Sequence, residues 1–443
     1  MKTKKDKPLH RVRGISVSHE KAAAAVESVR MPIPATVAIP MQMHIGAPCT
    51  PLVKVGDEVL VGQKIGDSEQ FVSAPIHASV SGRVKEIREI PLGGGSVSTA
   101  VIIESDGMMT RIPLTPPVVE NAADLARAVR ECGLVGLGGA GFPTHVKLRV
   151  PEGKVIDTLL INAAECEPYL TADNREILEN AWDVMSGIYT VKRLLGISRV
   201  AIGVEANKPE AIATLKKIAD SPADPLDEVS VVTLPSSYPQ GAEKILIKSV
   251  TGREVPPGKL PSDVGCIVMN VTSIAVLARY LKTGLPLIEK RVTVDGSAVP
   301  SAQNVIAPIG TSVSDILSFV GVGEDVAKVL LGGPMMGTSL ADTGVPIVRN
   351  TNGIVVMTAK EAKKREPSAC IRCGRCVMTC PMRLSPLTLE KATLRADTDA
   401  LASLDLMSCM ECGSCSYVCP ASRPLTQSMR LGKALMRAAS AKK

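Results

Sequence analysis

Near the C-terminal end, Cys370-x2-Cys373-x2-Cys376-x3-Cys380-Pro381 is repeated as Cys409-x2-Cys412-x2-Cys415-x3-Cys419-Pro420. Eight ligand-type side chains at fixed spacing restrict the surrounding backbone more than any other feature of the chain. Three cysteines at this spacing wrap one iron–sulfur cubane, and the fourth, ahead of the proline, reaches across to the other. The spacing predicts one [4Fe–4S] cluster on Cys370, Cys373, Cys376 and Cys419, and a second on Cys409, Cys412, Cys415 and Cys380. Zinc and disulfides are the competing uses of such cysteines, but zinc sites more often pair two C-x2-C knuckles across a longer loop. The motif predicts a chain that moves electrons.

At 443 residues there is room for about three or four domains, each with its own core. Four of the twelve cysteines lie outside the motifs. Cys49, Cys132 and Cys266 read as small buried side chains, whereas Cys166 falls inside an acidic motif. Unbridged thiols beside iron–sulfur ligands fit a reducing, cytoplasmic compartment. No apolar signal region follows the basic start MKTKKDK. The best candidate for a membrane span, Gly265 to Leu281, is interrupted by Asn270 and Arg279 and reads as a buried strand and helix. The net charge of +7 fits a solvated surface, with attraction to an anionic membrane or an acidic electron carrier as the sharper reading. One tryptophan, five tyrosines and three phenylalanines leave few stacking platforms, so nucleic acid is not expected as a partner.

Residues 1–34 form an N-terminal segment, and 35–110 read as all-β, with short Val/Ile runs punctuated by turn glycines. The pattern VKVGDEVLVGQ…APIHASVSG resembles the barrel-sandwich fold of biotinyl and lipoyl carrier domains. A carrier presents a modifiable lysine on the hairpin between the two halves. Here that hairpin is Asp67-Ser68-Glu69-Gln70-Phe71, so a scaffold or docking role is expected. From 120 to 289 helical and β-rich runs alternate, which predicts an α/β layer with a largely parallel sheet. Residues 290–358 return to short strands with one helix, a β-grasp-like module of the SLBB type. A helical domain, 359–443, surrounds the cysteines and ends in an amphipathic helix expected to pack on them, with contact to a membrane surface as the lesser alternative.

A second signal is the run Gly136-Leu137-Gly138-Gly139-Ala140-Gly141-Phe142-Pro143-Thr144-His145-Val146-Lys147. Dense glycine lets a backbone approach a flat or phosphorylated ligand, and a following helix offers free N–H groups to phosphate. A helical stretch, not a strand, precedes it, so it is not the dinucleotide fingerprint. Downstream, Asn162-Ala163-Ala164-Glu165-Cys166-Glu167-Pro168 follows a strand, where open α/β sheets bind ligands. A structural turn and a solvent-facing acidic loop are the plainer readings of the two segments.

GLGGAGFPTHVK, NAAECEP, Tyr238-x2-Gly241-Ala242-Glu243 and Asn270-Val271-Thr272-Ser273 resemble, in order, the motifs of the flavin-binding, NADH-oxidising subunit of complex I. Over most of its length the chain resembles the C subunit of Rnf electron-transport complexes, which are membrane-bound, ion-translocating NAD:ferredoxin oxidoreductases. The resemblance implies FMN as cofactor and NAD(H) as substrate. Gly136, Gly138, Gly139 and Gly141 would line flavin and nicotinamide, with Lys147 on the FMN phosphate. Asn162, Glu165 and Glu167 would flank the ring and the NADH. Tyr238, Gly241 and Glu243 would form another wall, and Asn270 and Ser273 would hold the phosphate or ribityl side. This chain departs from the complex I pattern at Ala164, Ala242 and Met269, where polar residues are missing, so looser FMN binding is expected.

The resemblance also implies partners: the membrane and ferredoxin-like subunits of the complex and, indirectly, ferredoxin. It places the chain peripherally, at the cytoplasmic face of the cell membrane. Two other readings share these features. One is a cobalamin reductase built from the same modules, in which the barrel tends to follow the cysteine motifs. The other is an electron-wiring subunit that binds no nucleotide.

Overall fold

The structure, a computed structural model, describes residues 9–221 and 228–441. The basic run at 1–7 and the last two lysines lie outside the described residues. An extended N-terminal segment leads into a 3-10 turn (Ala22–Ala25) and strand β1 (Val29–Arg30).

Two small antiparallel sheets follow. β2 (Thr36–Pro40), β8 (Val97–Ser105), β7 (Gly82–Pro91) and β4 (Glu58–Val59) make one, in that order; β3 (Thr50–Pro51), β5 (Lys64–Asp67) and β6 (Ile76–His77) make the other. Alternation drives this barrel-sandwich: Val84 and Ile90 of β7 turn inward while charged residues between them face solvent. Gly82 has φ +148° and a Cβ there would meet the Glu104 carbonyl at 2.0 Å, so only glycine fits. The lysine-free hairpin is a dock. Asp67 pairs with Arg130 at 2.7 Å, and Phe71 sits edge-on to His145 with the Arg149 guanidinium over its ring.

The α/β layer contains α1 (Ala122–Glu131), α2 (Thr144–Leu148), β9 (Thr158–Ala163), α3 (Ala172–Leu194), β10 (Arg199–Glu205), α4 (Pro209–Ala219), β11 (Ser230–Leu234), α5 (Glu243–Thr251), β12 (Cys266–Asn270) and α6 (Val271–Thr283). Its sheet is parallel throughout, in the order β11-β10-β9-β12. The central strands, β10 and β9, are buried on both faces, as helices on both sides require. The stretch considered for a membrane span is β12 and α6. Among the described residues no helix is long and apolar enough to cross a membrane.

β13 (Glu289–Asp295), β14 (Gln303–Pro308), α7 (Val313–Val320), β15 (Lys328–Leu331), β16 (Thr338–Ser339) and β17 (Gly353–Met357) build a mixed six-stranded sheet with β1, from the N-terminal segment, at one edge and β16 at the other. A two-residue edge strand has no period to read, so the sequence leaves that segment unassigned. Last come α8 (Arg375–Thr379), α9 (Pro386–Leu394), α10 (Thr398–Ser403), α11 (Ser414–Tyr417) and α12 (Leu425–Ser440). Leu425 and Met429 of α12 are buried, and Met429 joins Leu384, Leu389, Leu401 and Leu406 in a small core. The terminal helix packs on the cysteine domain.

Candidate flavin and cluster sites

The C-terminal ends of the parallel strands form the floor of an open site. Asn162 at the end of β9 lies in register with Asn270 at the end of β12. Asn162 Nδ2 donates to the Gly241 carbonyl at 2.7 Å, tying in the loop that carries Tyr238, Gly241 and Glu243. Asn270 caps α6 by accepting from Ser273 N–H at 3.1 Å and donates to Asp173 at 2.7 Å. The glycine loop sits over this floor. Gly136 N–H bonds the Phe142 carbonyl at 2.9 Å and closes the loop, while Gly138 is pressed against the Asn270 side chain. Gly141, with φ +70°, makes the turn out. A Cβ at Gly139 would meet nothing within 4 Å, so this backbone offers a bare face to the open side. That cradle fits a flat cofactor at close backbone approach.

Several side chains serve the loops directly. Ser273 is buried; its hydroxyl accepts from Leu137 N–H at 3.0 Å and donates to the Val135 carbonyl, so it shapes the glycine loop. Lys147, read as reaching the FMN phosphate, donates at 2.8 Å to Glu243, read as part of a wall. Helix α2 after the loop is a single turn. Glu165 turns its carboxylate onto the N-terminus of α3, accepting from Asp173 and Asn174 N–H groups at 2.7 and 3.3 Å. Glu167 accepts from Met335 and Met336 N–H groups at 3.0 and 2.9 Å. Burial raises the pKa of both carboxylates.

Each cysteine quartet surrounds its own hollow. Cys380, Cys409, Cys412 and Cys415 line one, and Cys370, Cys373, Cys376 and Cys419 line the other. All are free thiols. The backbone repeats with the motif. Arg372 and Glu411 both have φ +57°, Gly374 and Gly413 +73° and +80°, and Arg383 and Ser422 +56° and +51°. Such left-handed positions turn amides into a concavity that suits anionic sulfur. Arg372, Glu411 and Leu384 each donate an N–H to a cysteine sulfur at 3.4 Å. The arrangement fits [4Fe–4S] groups.

The two hollows differ in setting. Cys380 and Cys412 are buried, whereas Cys370 and Cys373 are exposed. Tyr238 joins the inner hollow to the flavin-type site: its buried phenol donates to the Cys412 carbonyl at 2.7 Å and lies 3.4 Å from Glu167.

Residues 129–279 match the family model described as the Nuo51 FMN-binding domain, 10–108 the RnfC barrel sandwich hybrid domain, and 362–420 a 4Fe-4S dicluster domain. The chain is 44% identical to the C subunit of the Na(+)-translocating ferredoxin:NAD(+) oxidoreductase complex of Acetobacterium woodii, covering 90% of each. It is 43% identical to the proton-translocating counterpart of Clostridium ljungdahlii, covering 81% of this chain and 79% of that one. The C subunit of the ion-translocating oxidoreductase complex of Rhodobacter capsulatus is 39% identical, over 94% and 81%. The chain belongs to this C-subunit family. In fold it is similar to a chain of an NAD+-reducing [NiFe]-hydrogenase in the H2-reduced state, with a TM-score of 0.50 and 18% identity, over 72% of this chain and 61% of that one.

In this member of the C-subunit family two of the three missing polar positions are filled by packing. Ala164 and Met269 are buried, and Ala242 precedes α5. Other groups at the site lie outside every motif read from the sequence. Asn350 donates to the Gly139 carbonyl at 2.8 Å, and Lys208 to the Ala164 carbonyl at 2.6 Å. Glu205, at the end of β10, is buried beside Lys208 at 3.5 Å, and burial raises its carboxyl to about 7. A Cβ on Gly333 would strike Glu167, so the backbone approaches that side chain closely there.

Proposed function

We propose that this chain is the NADH-reactive, peripheral subunit of a membrane-bound, ion-translocating ferredoxin:NAD oxidoreductase, and that it passes electrons between NAD(H), FMN and two [4Fe–4S] clusters. The observation that carries the reading is the Tyr238–Cys412 bond, which joins a flavin-type site to the buried cysteine quartet. Bound FMN would supply the hydride acceptor and the one-electron donor, so no protein acid, base or nucleophile is needed. The chain's residues bind and orient. Gly138 and Gly139 give the backbone its close approach, with Gly136 and Gly141 closing the loop. Asn162, Gly241, Glu243, Lys147 and Asn270 line the floor and walls, Ser273 and Glu165 brace them, and Tyr238, beside Glu167, reaches the inner quartet.

Burial orders the quartets. Cys380, Cys409, Cys412 and Cys415 would hold the cluster nearer the flavin side, and the quartet at Cys370, Cys373, Cys376 and Cys419, with Cys370 and Cys373 exposed, would hold the one that serves a ferredoxin-like subunit. The barrel precedes the cysteine motifs, which supports this reading over a cobalamin reductase. Relatives named for sodium and for protons are similarly close, at 44% and 43%, so the coupling ion belongs to membrane subunits. Those subunits hold the chain at the cytoplasmic face.

The test is an anaerobic NADH titration of the purified, FMN-loaded chain followed by EPR. Two reduced [4Fe–4S] signals are expected, both lost in Gly139→Trp. Cys412→Ser should stop NADH from reducing the outer cluster, whereas Cys373→Ser should leave the inner one reducible. Clusters that dithionite reduces and NADH never does would sink the proposal.

A further inference from the structure

We infer that Lys21, on the N-terminal segment outside the flavin domain, is a positioning residue of the flavin pocket, holding the 162–170 loop in its working shape. The inference rests on the reading above that Asn162 lines the flavin site and Glu165 braces it. Lys21 Nζ donates to the carbonyls of Glu165 at 2.9 Å, Glu167 at 2.8 Å, and Leu170. An ammonium has three donors, and all three go to one loop. From the other side Lys208 holds the Ala164 carbonyl at 2.6 Å. Between these clamps Glu165 and Tyr169 adopt φ of +48° and +69°. Residues other than glycine keep such a conformation only where their surroundings over-determine it.

The clamp controls where both acidic side chains point. With the Glu165 and Glu167 carbonyls held, their carboxylates are aimed in different directions, one at the α3 N-terminus and the other at the Met335–Met336 amides. The same segment fixes the opposite wall. Ile15 and Tyr238 exchange two backbone hydrogen bonds, each 2.8 Å, and the His19 carbonyl accepts from Tyr169 N–H at 2.9 Å. A strap that begins outside the flavin domain thus holds both the acidic loop and the tyrosine that reaches Cys412. Lys21 also brings a cation to a loop that holds Glu165 and Glu167. Burial lowers its pKa to about 8, while Glu165 favours the charged form.

The test uses the full chain loaded with FMN and clusters, comparing wild type with Lys21→Met and Lys21→Gln. In Lys21→Met the FMN Kd is expected to rise by about 10-fold, a loss of about 1.4 kcal/mol. Loss of the cation should also weaken reduced flavin about 10-fold more than oxidised flavin, lowering the two-electron potential by about 30 mV. EPR of both dithionite-reduced clusters should not change. Lys21→Gln, which keeps two donors without the charge, should recover most of the affinity and none of the potential, and it decides the matter if Lys21→Met does not fold. Wild-type affinity and potential in Lys21→Gln, or cluster signals lost together with the flavin, would overturn the inference. A wild-type chain that binds no FMN would overturn the pocket reading and this inference with it.

Discussion

Asp295, at the end of β13, shows how one buried group ties stability to pH. One carboxylate oxygen accepts from Gly296 N–H at 2.7 Å, the other has no partner, and burial raises the group from 3.8 to about 6. Between those values the folded chain keeps a proton that the unfolded chain has released, so stability falls as pH rises. The slope is about 1.4 kcal/mol per pH unit between about pH 4 and 6. Asp295→Asn should make that segment less steep, seen as a melting temperature that drops less from pH 4 to pH 6 in the variant than in the wild type, with the fall due to Glu205 present in both. An equal slope in both would refute the assignment. Nothing in the sequence marked this residue, because Asp-Gly reads as an ordinary turn.

At the scale of the element, the glycine loop separates packing from binding. A Cβ on Gly138 would lie 2.4 Å from Asn270 Nδ2 and 2.9 Å from its Cγ. Asn270 cannot swing aside without releasing Ser273 N–H and Asp173, and uncapping α6 costs about 1 kcal/mol. Gly138→Ala should therefore lower the melting temperature even without flavin. Gly139→Ala has space for its methyl and should melt like wild type, while FMN affinity drops. Flavin titration and thermal melting together decide this; two variants behaving alike would contradict it. The loop and its neighbours were legible as motifs. That Ser273 braces the loop and Lys147 meets Glu243 depends on chain crossings that no local pattern reports.

Over the whole molecule, the cysteine domain leans on its inorganic groups. Its core is a handful of residues around Leu389, Leu401 and Met429, and both hollows lie where a larger domain would have side chains. Metal binding in such a domain is folding free energy. Anaerobic removal of iron with a chelator should make residues 362–440 sensitive to protease, while the parallel sheet stays resistant and FMN binding persists. Uniform resistance along the chain would show that apolar packing suffices. The barrel's lysine-free hairpin is the counterpart at this scale, having become a dock through Asp67 and Phe71.

Sequence alone determined the features whose causes are local. Cysteine spacing sets which thiols can reach one cluster, hydrophobic alternation separates strands from helices, and glycine density marks where a backbone must come close. Tertiary structure decided what depends on distant segments meeting. β1 joins a sheet built far downstream, Lys21 reaches a loop in another domain, and Tyr238 touches the buried quartet rather than the exposed one. A lysine or tyrosine looks the same in a sequence wherever its partners lie, and those partners are carbonyls, which every residue has. Only the packed chain selects among them.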